Sequence, residues 1–148
     1  AERVRDRRPD VVVGPALGGI VVAHEVARAL GRRAIFAERV DGVMRLRRGF
    51  AVAPGERALV VEDVVTTGGS VEEVAALVRA SGGQIAGFAA LVDRSAGRAH
   101  LSAPFAALIT LDLPVFPAEA CPLCKQGEPV RKPGSRTRPA VPAADSSA

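Results

Sequence analysis

The sequence predicts an α/β fold, a mostly parallel sheet flanked by helices. Three observations carry that prediction. Short apolar runs at Val11–Val13, Ala58–Val61 and Ile85–Val92 have the unbroken character of strands buried on both faces. Two of them lead through a glycine-rich turn, Gly14–Gly19 and Thr66–Ser70, into a segment with helical spacing. The 148 residues, rich in Ala, Val and Gly with five Phe and no Trp or Tyr, suit one domain with a real core.

Glu2 to Arg8 reads as the tail of a helix that Pro9 stops. Val11–Val13 is the first strand. The helix after it runs from about Ile20 to Leu30, with Ile20, Ala23, Ala27 and Leu30 on one face and Gly31 closing it. Arg33 to Ala37 is the next strand, which makes a right-handed crossover unit. Glu38 to Phe50 is polar, irregular and basic through Arg39, Arg45, Arg47 and Arg48, and its Asp41-Gly42 pair is a hairpin signal. Two readings stay open there, a solvated hairpin or a mobile flap that covers a ligand and excludes water. Pro54-Gly55 turns the chain into the strand Ala58–Val61. Val71, Val74, Ala75, Leu77 and Val78 line one face of the following helix, which Ser81-Gly82-Gly83 ends. Ile85–Val92 and Ala106–Leu111 are the last strands. From Gln126 onward Pro, Arg, Ser and Ala prevail, so the expected division is a core of residues 1–125 and a basic, disordered tail of 126–148.

Function is concentrated in Leu59 to Ser70. A buried strand ends on two adjacent carboxylates, Glu62 and Asp63, and a small-residue turn, Thr66-Thr67-Gly68-Gly69-Ser70, opens a helix. Such a helix start binds phosphate through backbone N–H groups and the helix dipole. The turn lacks the Gly-Lys-Ser/Thr of a Walker A loop, and its glycine spacing fails the dinucleotide fingerprint. Acids beside a phosphate cradle repel a bare anion. They make sense if the ligand also brings hydroxyls, a divalent cation, or a carbon that becomes positive during reaction. A ribose 5-phosphate fits all three. The plainer reading is a helix cap, Ser70 with Glu73 as a capping box, which needs neither the acid pair nor both glycines. Gly14–Gly19 is a second candidate anion cradle, weak by itself.

Charge and cysteines exclude other classes. Residues 125–148 hold five basic and two acidic side chains, so most of the +4 net charge lies there and the body is near neutral. A nucleic-acid binder carries its basic face on the folded part, so no nucleic-acid partner is expected. No run approaches the roughly 18 apolar residues of a membrane span, and no signal peptide is visible, so no membrane partner is expected. Cys121 and Cys124 form one Cys-x-x-Cys; with only His24 and His100 elsewhere they do not close a zinc site. Pro122 and the missing strand–helix context argue against a thioredoxin-like site, and the thiols read as reduced. Both histidines read as surface residues.

Val60-Val61-Glu62-Asp63-Val64-Val65-Thr66-Thr67-Gly68-Gly69-Ser70 resembles the phosphoribosyl pyrophosphate (PRPP) motif of type I phosphoribosyltransferases. From about Asp10 to Arg136 the chain is most similar to the orotate branch of that family. The resemblance implies the family's Rossmann-like sheet and transfer of the 5-phosphoribosyl group from PRPP to orotate in pyrimidine (UMP) synthesis, giving orotidine 5-phosphate and pyrophosphate. It implies that Glu62 to Ser70, with Val64, Val65, Thr66, Thr67, Gly68 and Gly69 between, bind PRPP, and that Glu62, Asp63 and Arg39 act in catalysis. Ala16, Leu17, Gly18 and Gly19 would form the pyrophosphate loop, with a non-proline cis peptide between Ala16 and Leu17. Thr66 and Arg94 would meet orotate, the Arg against its carboxylate. It further implies Mg²⁺ held by substrate oxygens and water rather than by protein ligands, a homodimer, and a cytoplasmic setting.

The sequence also departs from the pattern. Many relatives carry Lys where Gly18 stands, and the family's loop lysine is missing from Glu38–Phe50, which leaves open whether Arg39 or Arg45 replaces it. Family members have a further N-terminal segment roofing the base pocket; the chain opens without Met, so it reads as part of a longer one, able to bind PRPP but poor at turning over orotate. A purine-base phosphoribosyltransferase and a non-catalytic PRPP-binding regulator are the alternatives.

Overall fold

The computed structural model describes residues 1–114 and 116–129. Its strands are β1 Val11–Pro15, β2 Arg33–Val40, β3 Val43–Leu46, β4 Arg57–Val65, β5 Gln84–Asp93 and β6 Phe105–Thr110, and its two long helices are α1 Gly18–Leu30 and α2 Gly69–Ala80. The strands form one sheet in the order β3-β2-β1-β4-β5-β6. Every neighbouring pair is parallel except β2 with β3. The sheet is therefore the expected mostly parallel one.

The unbroken apolar runs have a direct cause. Val11 and Val13 of β1 pack with Val60 of β4, Phe88 of β5 and Val71, Val74 and Val78 of α2. Val12, Leu59 and Val61 point the other way, into a cluster with Ala23 and Ala27 of α1 and Val4. With helices on both faces, neither face of the central strands tolerates a polar residue. β1 and β4 pair in register, Val13 opposite Val60, so the turns that leave them emerge side by side at the carboxyl edge.

Several elements run beyond their sequence-read bounds. The first helical segment is a short 3₁₀ turn, Glu2–Arg7, and Arg8 takes a left-handed φ of 46° before Pro9. β2 continues past Ala37 to Val40 because the Asp41-Gly42 turn, both residues at positive φ, folds β3 back on it with Val40 opposite Val43. Within that segment Glu38 to Leu46 is thus a β-hairpin.

Residues Ala1–Leu113 form one compact unit and Pro114–Ala148 a second. The second is described by a 3₁₀ turn, Ala118–Ala120, and a one-turn helix α3, Pro122–Lys125. The expected disordered tail, 126–148, lies from residue 130 on outside the described residues. No helix of the described residues is long and apolar enough to cross a membrane.

Candidate active site

β4 delivers both acids. Glu62 is buried and Asp63 half-buried. The Asp63 amide donates to Glu62 Oε1 at 3.2 Å, and the Val64 amide donates to Asp63 Oδ1 at 2.8 Å. Burial pushes the Glu62 carboxyl up to about 8, and the Asp63 side chain against it adds to the rise, only partly offset by the Asp63 amide.

α2 begins immediately after. Its N-cap is Gly68, at a φ of 86°, and no side chain caps it. The capping-box reading is therefore corrected: Glu73 turns away from Ser70 to pair with Arg39 at 2.7 Å. Apart from a long 3.4 Å bond from the Gly69 amide to Thr67 Oγ1, the opening amides of α2 are left for a ligand. They border an open cleft lined by Glu62 and by Val64 through Val71, including Thr66, Thr67, Gly68, Gly69 and Ser70.

The turn after β1 lies against these acids. The Ala16–Leu17 peptide bond is cis, where the sequence placed it. A Cβ on Gly18 would fall 2.5 Å from Asp63 Cγ, and one on Gly19 would fall 3.1 Å from Glu62 Oε1. Two carboxylates from β4 thus occupy the space that side chains at 18 and 19 would need. A Lys at position 18 would have to displace Asp63 from this place.

β5 supplies the third part. The Arg94 amide donates to Val65 O at 2.8 Å, tying this loop to the end of β4. Asp93 does not pair with the neighbouring Arg94. Asp93 is buried and accepts from the Ser95 amide (2.8 Å), Ser95 Oγ (2.6 Å) and the Gly97 amide (3.0 Å). Burial raises its carboxyl, but these donors outweigh burial and hold it below the usual range. The exposed Arg94 guanidinium makes no ion pair among the described residues.

The structure therefore brings together Glu62, Asp63, the Thr66–Ser70 turn and Ala16–Gly19, with Arg94 beginning the neighbouring loop. It does not add Arg39, whose guanidinium is taken up by Glu73 and by Gly42 O at 2.9 Å. Sequence reasoning missed Leu101, whose side chain covers Gly68, and Ser102, which is bound to Glu72 at 2.5 Å. Neither residue type nor spacing marks them. Among the described residues no cluster of three or more potential metal ligands exists.

An acid pair and two glycine-rich turns thus meet at one edge of a mostly parallel sheet. Residues 1–123 match the phosphoribosyl transferase domain family. The fold is also that of the adenine phosphoribosyltransferase of Thermoanaerobacter pseudethanolicus, with a TM-score of 0.67, 21% identity and 74% of each chain covered. Sequence is more discriminating. The orotate phosphoribosyltransferase of Caldanaerobacter subterraneus subsp. tengcongensis is 57% identical over 92% of this chain and 72% of its own length. That of Heliobacterium modesticaldum is 60% identical over 87% of this chain and 68% of its own length. The chain belongs to the phosphoribosyltransferase family, and within it to the orotate phosphoribosyltransferases.

Proposed function

We infer that this chain transfers the 5-phosphoribosyl group from PRPP to orotate, forming orotidine 5-phosphate and pyrophosphate in pyrimidine synthesis. The observation that carries this reading is the acid pair lodged between two anion-binding turns, against Gly18 and Gly19 on one side and beside the α2 cradle on the other. A ligand spanning the three must be anionic at both ends and rich in hydroxyls between them, as PRPP is.

In this reading Gly68, Gly69 and Ser70 grip the 5-phosphate with the helix amides, and Thr66 and Thr67 add hydroxyl donors. Ala16 through Gly19 hold the pyrophosphate. The bond from C1 to pyrophosphate breaks as the bond from orotate nitrogen to C1 forms, and positive charge develops at C1. Glu62 and Asp63 accept hydrogen bonds from the ribose diol and stabilise that charge. Orotate arrives as an anion, so no strong base is required. The free Arg94 fork suits its carboxylate bidentately. Arg39 must exchange Glu73 for pyrophosphate to act; a guanidinium binds such an anion but is a poor proton donor.

Mg²⁺ fits the donor set. With no cluster of protein ligands among the described residues, the acid pair would favour a hard cation held mainly by substrate oxygens and water beside it. Held there, the ion would supply positive charge to offset that of the leaving pyrophosphate. We place the activity in residues 1–125, in a homodimer and in the cytoplasm, on the strength of the family's biosynthetic chemistry.

The test is pyrophosphate release from PRPP with orotate, uracil, hypoxanthine and adenine offered in parallel. Release with orotate alone is expected. Release with a purine instead would move the chain to another branch of the family. Saturable PRPP binding without release would make it a PRPP-binding regulator.

A further inference from the structure

The loop between β5 and β6 crosses the phosphate cradle and is fastened on both sides of it. At its start the Arg94 amide is bound to Val65 O, the residue before Thr66. Towards its end the Ser102 amide donates to Glu72 Oε1 at 2.5 Å and Ser102 Oγ donates to Glu72 Oε2 at 2.8 Å. Glu72 stands in the first turn of α2, directly after the cradle. Arg79 completes the arrangement, donating to Ser102 Oγ at 2.6 Å and lying 3.8 Å from Glu72. Between the two anchors the tip of the Leu101 side chain lies against Gly68, where an added Cβ would push it aside; the φ of 86° is what asks for glycine at this position.

We propose that Glu72 is a positioning residue for the 5-phosphate: by holding Ser102 it seats Leu101 on Gly68 and fixes the shape of the Thr66–Ser70 turn. This rests on the phosphoribosyl-binding reading of that turn. The charge of Glu72 is a second reason to look there. An acid one turn from a phosphate-binding helix start repels the ligand unless its charge is engaged. Here both oxygens are given to Ser102, with Arg79 beside them. On the sequence Glu72 was one more polar residue on an exposed helix face.

The test compares the parent chain with Glu72→Ala, Glu72→Gln, Leu101→Ala and the Glu72→Ala/Leu101→Ala double variant. PRPP affinity is measured by calorimetry, alongside KM, kcat and thermal stability. Losing a charged acceptor of two hydrogen bonds should weaken PRPP binding about tenfold. The effect should fall on KM for PRPP and leave kcat at saturation within about twofold, and Glu72→Gln should recover most of it because an amide oxygen still accepts from the Ser102 amide. If Glu72 acts through Leu101, the double variant is no weaker than the worse single one. Multiplicative losses, or a lowered melting temperature with unchanged PRPP affinity, would overturn the proposal. Calorimetry needs no acceptor base, so a parent that binds PRPP without using orotate ends the reaction assignment and leaves this inference to be judged on binding.

Discussion

Glu62 and Asp93 are both buried carboxylates near the ends of adjacent parallel strands, with Val65 of β4 opposite Asp93 of β5. Burial alone would raise both. Yet Glu62 is pushed up to about 8 while Asp93 is held below its ordinary value. The difference is in the donors. Asp93 receives two amides and a hydroxyl from its own loop. Glu62 receives one amide at 3.2 Å and faces a second carboxylate. One acid is satisfied by the protein and builds structure. The other is short of donors and lines a cleft, which is the condition of a group whose partners arrive with the ligand.

That contrast is broken most severely at the acid pair itself. Asp63→Asn should lower kcat/KM with PRPP and orotate by about 10²–10³-fold, the usual loss when one group stabilising transition-state charge is removed. Unchanged turnover would remove Asp63 from the mechanism. Arg94→Ala should act on the other substrate. Truncating one partner of a charged pair costs about 2–5 kcal/mol, so KM for orotate should rise at least about thirtyfold while KM for PRPP stays put. A parallel rise in both constants would show that the arginine merely shapes the loop.

The pH dependence sharpens the same comparison. If PRPP needs the ionised pair, kcat/KM for PRPP should rise with pH and level off above about 8, the value of Glu62 in the free protein. Glu62→Gln should abolish that limb along with most of the activity. Without ligand the stability sign is opposite. Glu62 is protonated more tightly folded than unfolded, so its contribution is complete below its ordinary value of 4.5 and is lost as pH rises towards about 8. Melting temperatures taken across that window should fall in the parent and fall less in Glu62→Gln.

The sheet was legible because periodicity and burial share one cause: helices on both faces force unbroken apolar runs at Val11–Val13 and Ala58–Val61. The Thr66–Ser70 cradle was legible from its own residues, whereas the Ala16–Gly19 turn, weak by itself because tight strand-to-helix turns often hold glycines, was legible only through the family resemblance. What stayed hidden depends on contacts between distant segments. No local pattern says that Glu62 and Asp63 press on Gly18 and Gly19, since that follows only from β1 and β4 being neighbours. Arg39 was read as a site residue from its match to a basic position of the family's loop, but α2 brings Glu73 within 2.7 Å of it. Glu73 itself was read as a cap from spacing alone, and the same contact explains why that failed.

Asp93 offers the smallest and cleanest break. Asn at this position keeps an oxygen for the Ser95 amide and hydroxyl, but turns an NH₂ group towards the Gly97 amide, donor against donor. Leaving that amide unpaired costs about 1–3 kcal/mol, a drop of a few degrees in melting temperature. The loss should depend on acidity in the sense opposite to that of Glu62. Asp93 has a lowered value in the folded state, so its stabilisation is present above its ordinary 3.8 and is lost as pH falls through the lower folded value. Parent and Asp93→Asn should therefore converge in acid and separate towards neutral pH. Arg94 begins the loop that Asp93 shapes, so KM for orotate should also rise, but only severalfold, since the guanidinium remains to find the carboxylate. A variant that melts like the parent at neutral pH would show that burial, and not the donors, sets the character of this acid, and the distinction drawn from Glu62 would go with it.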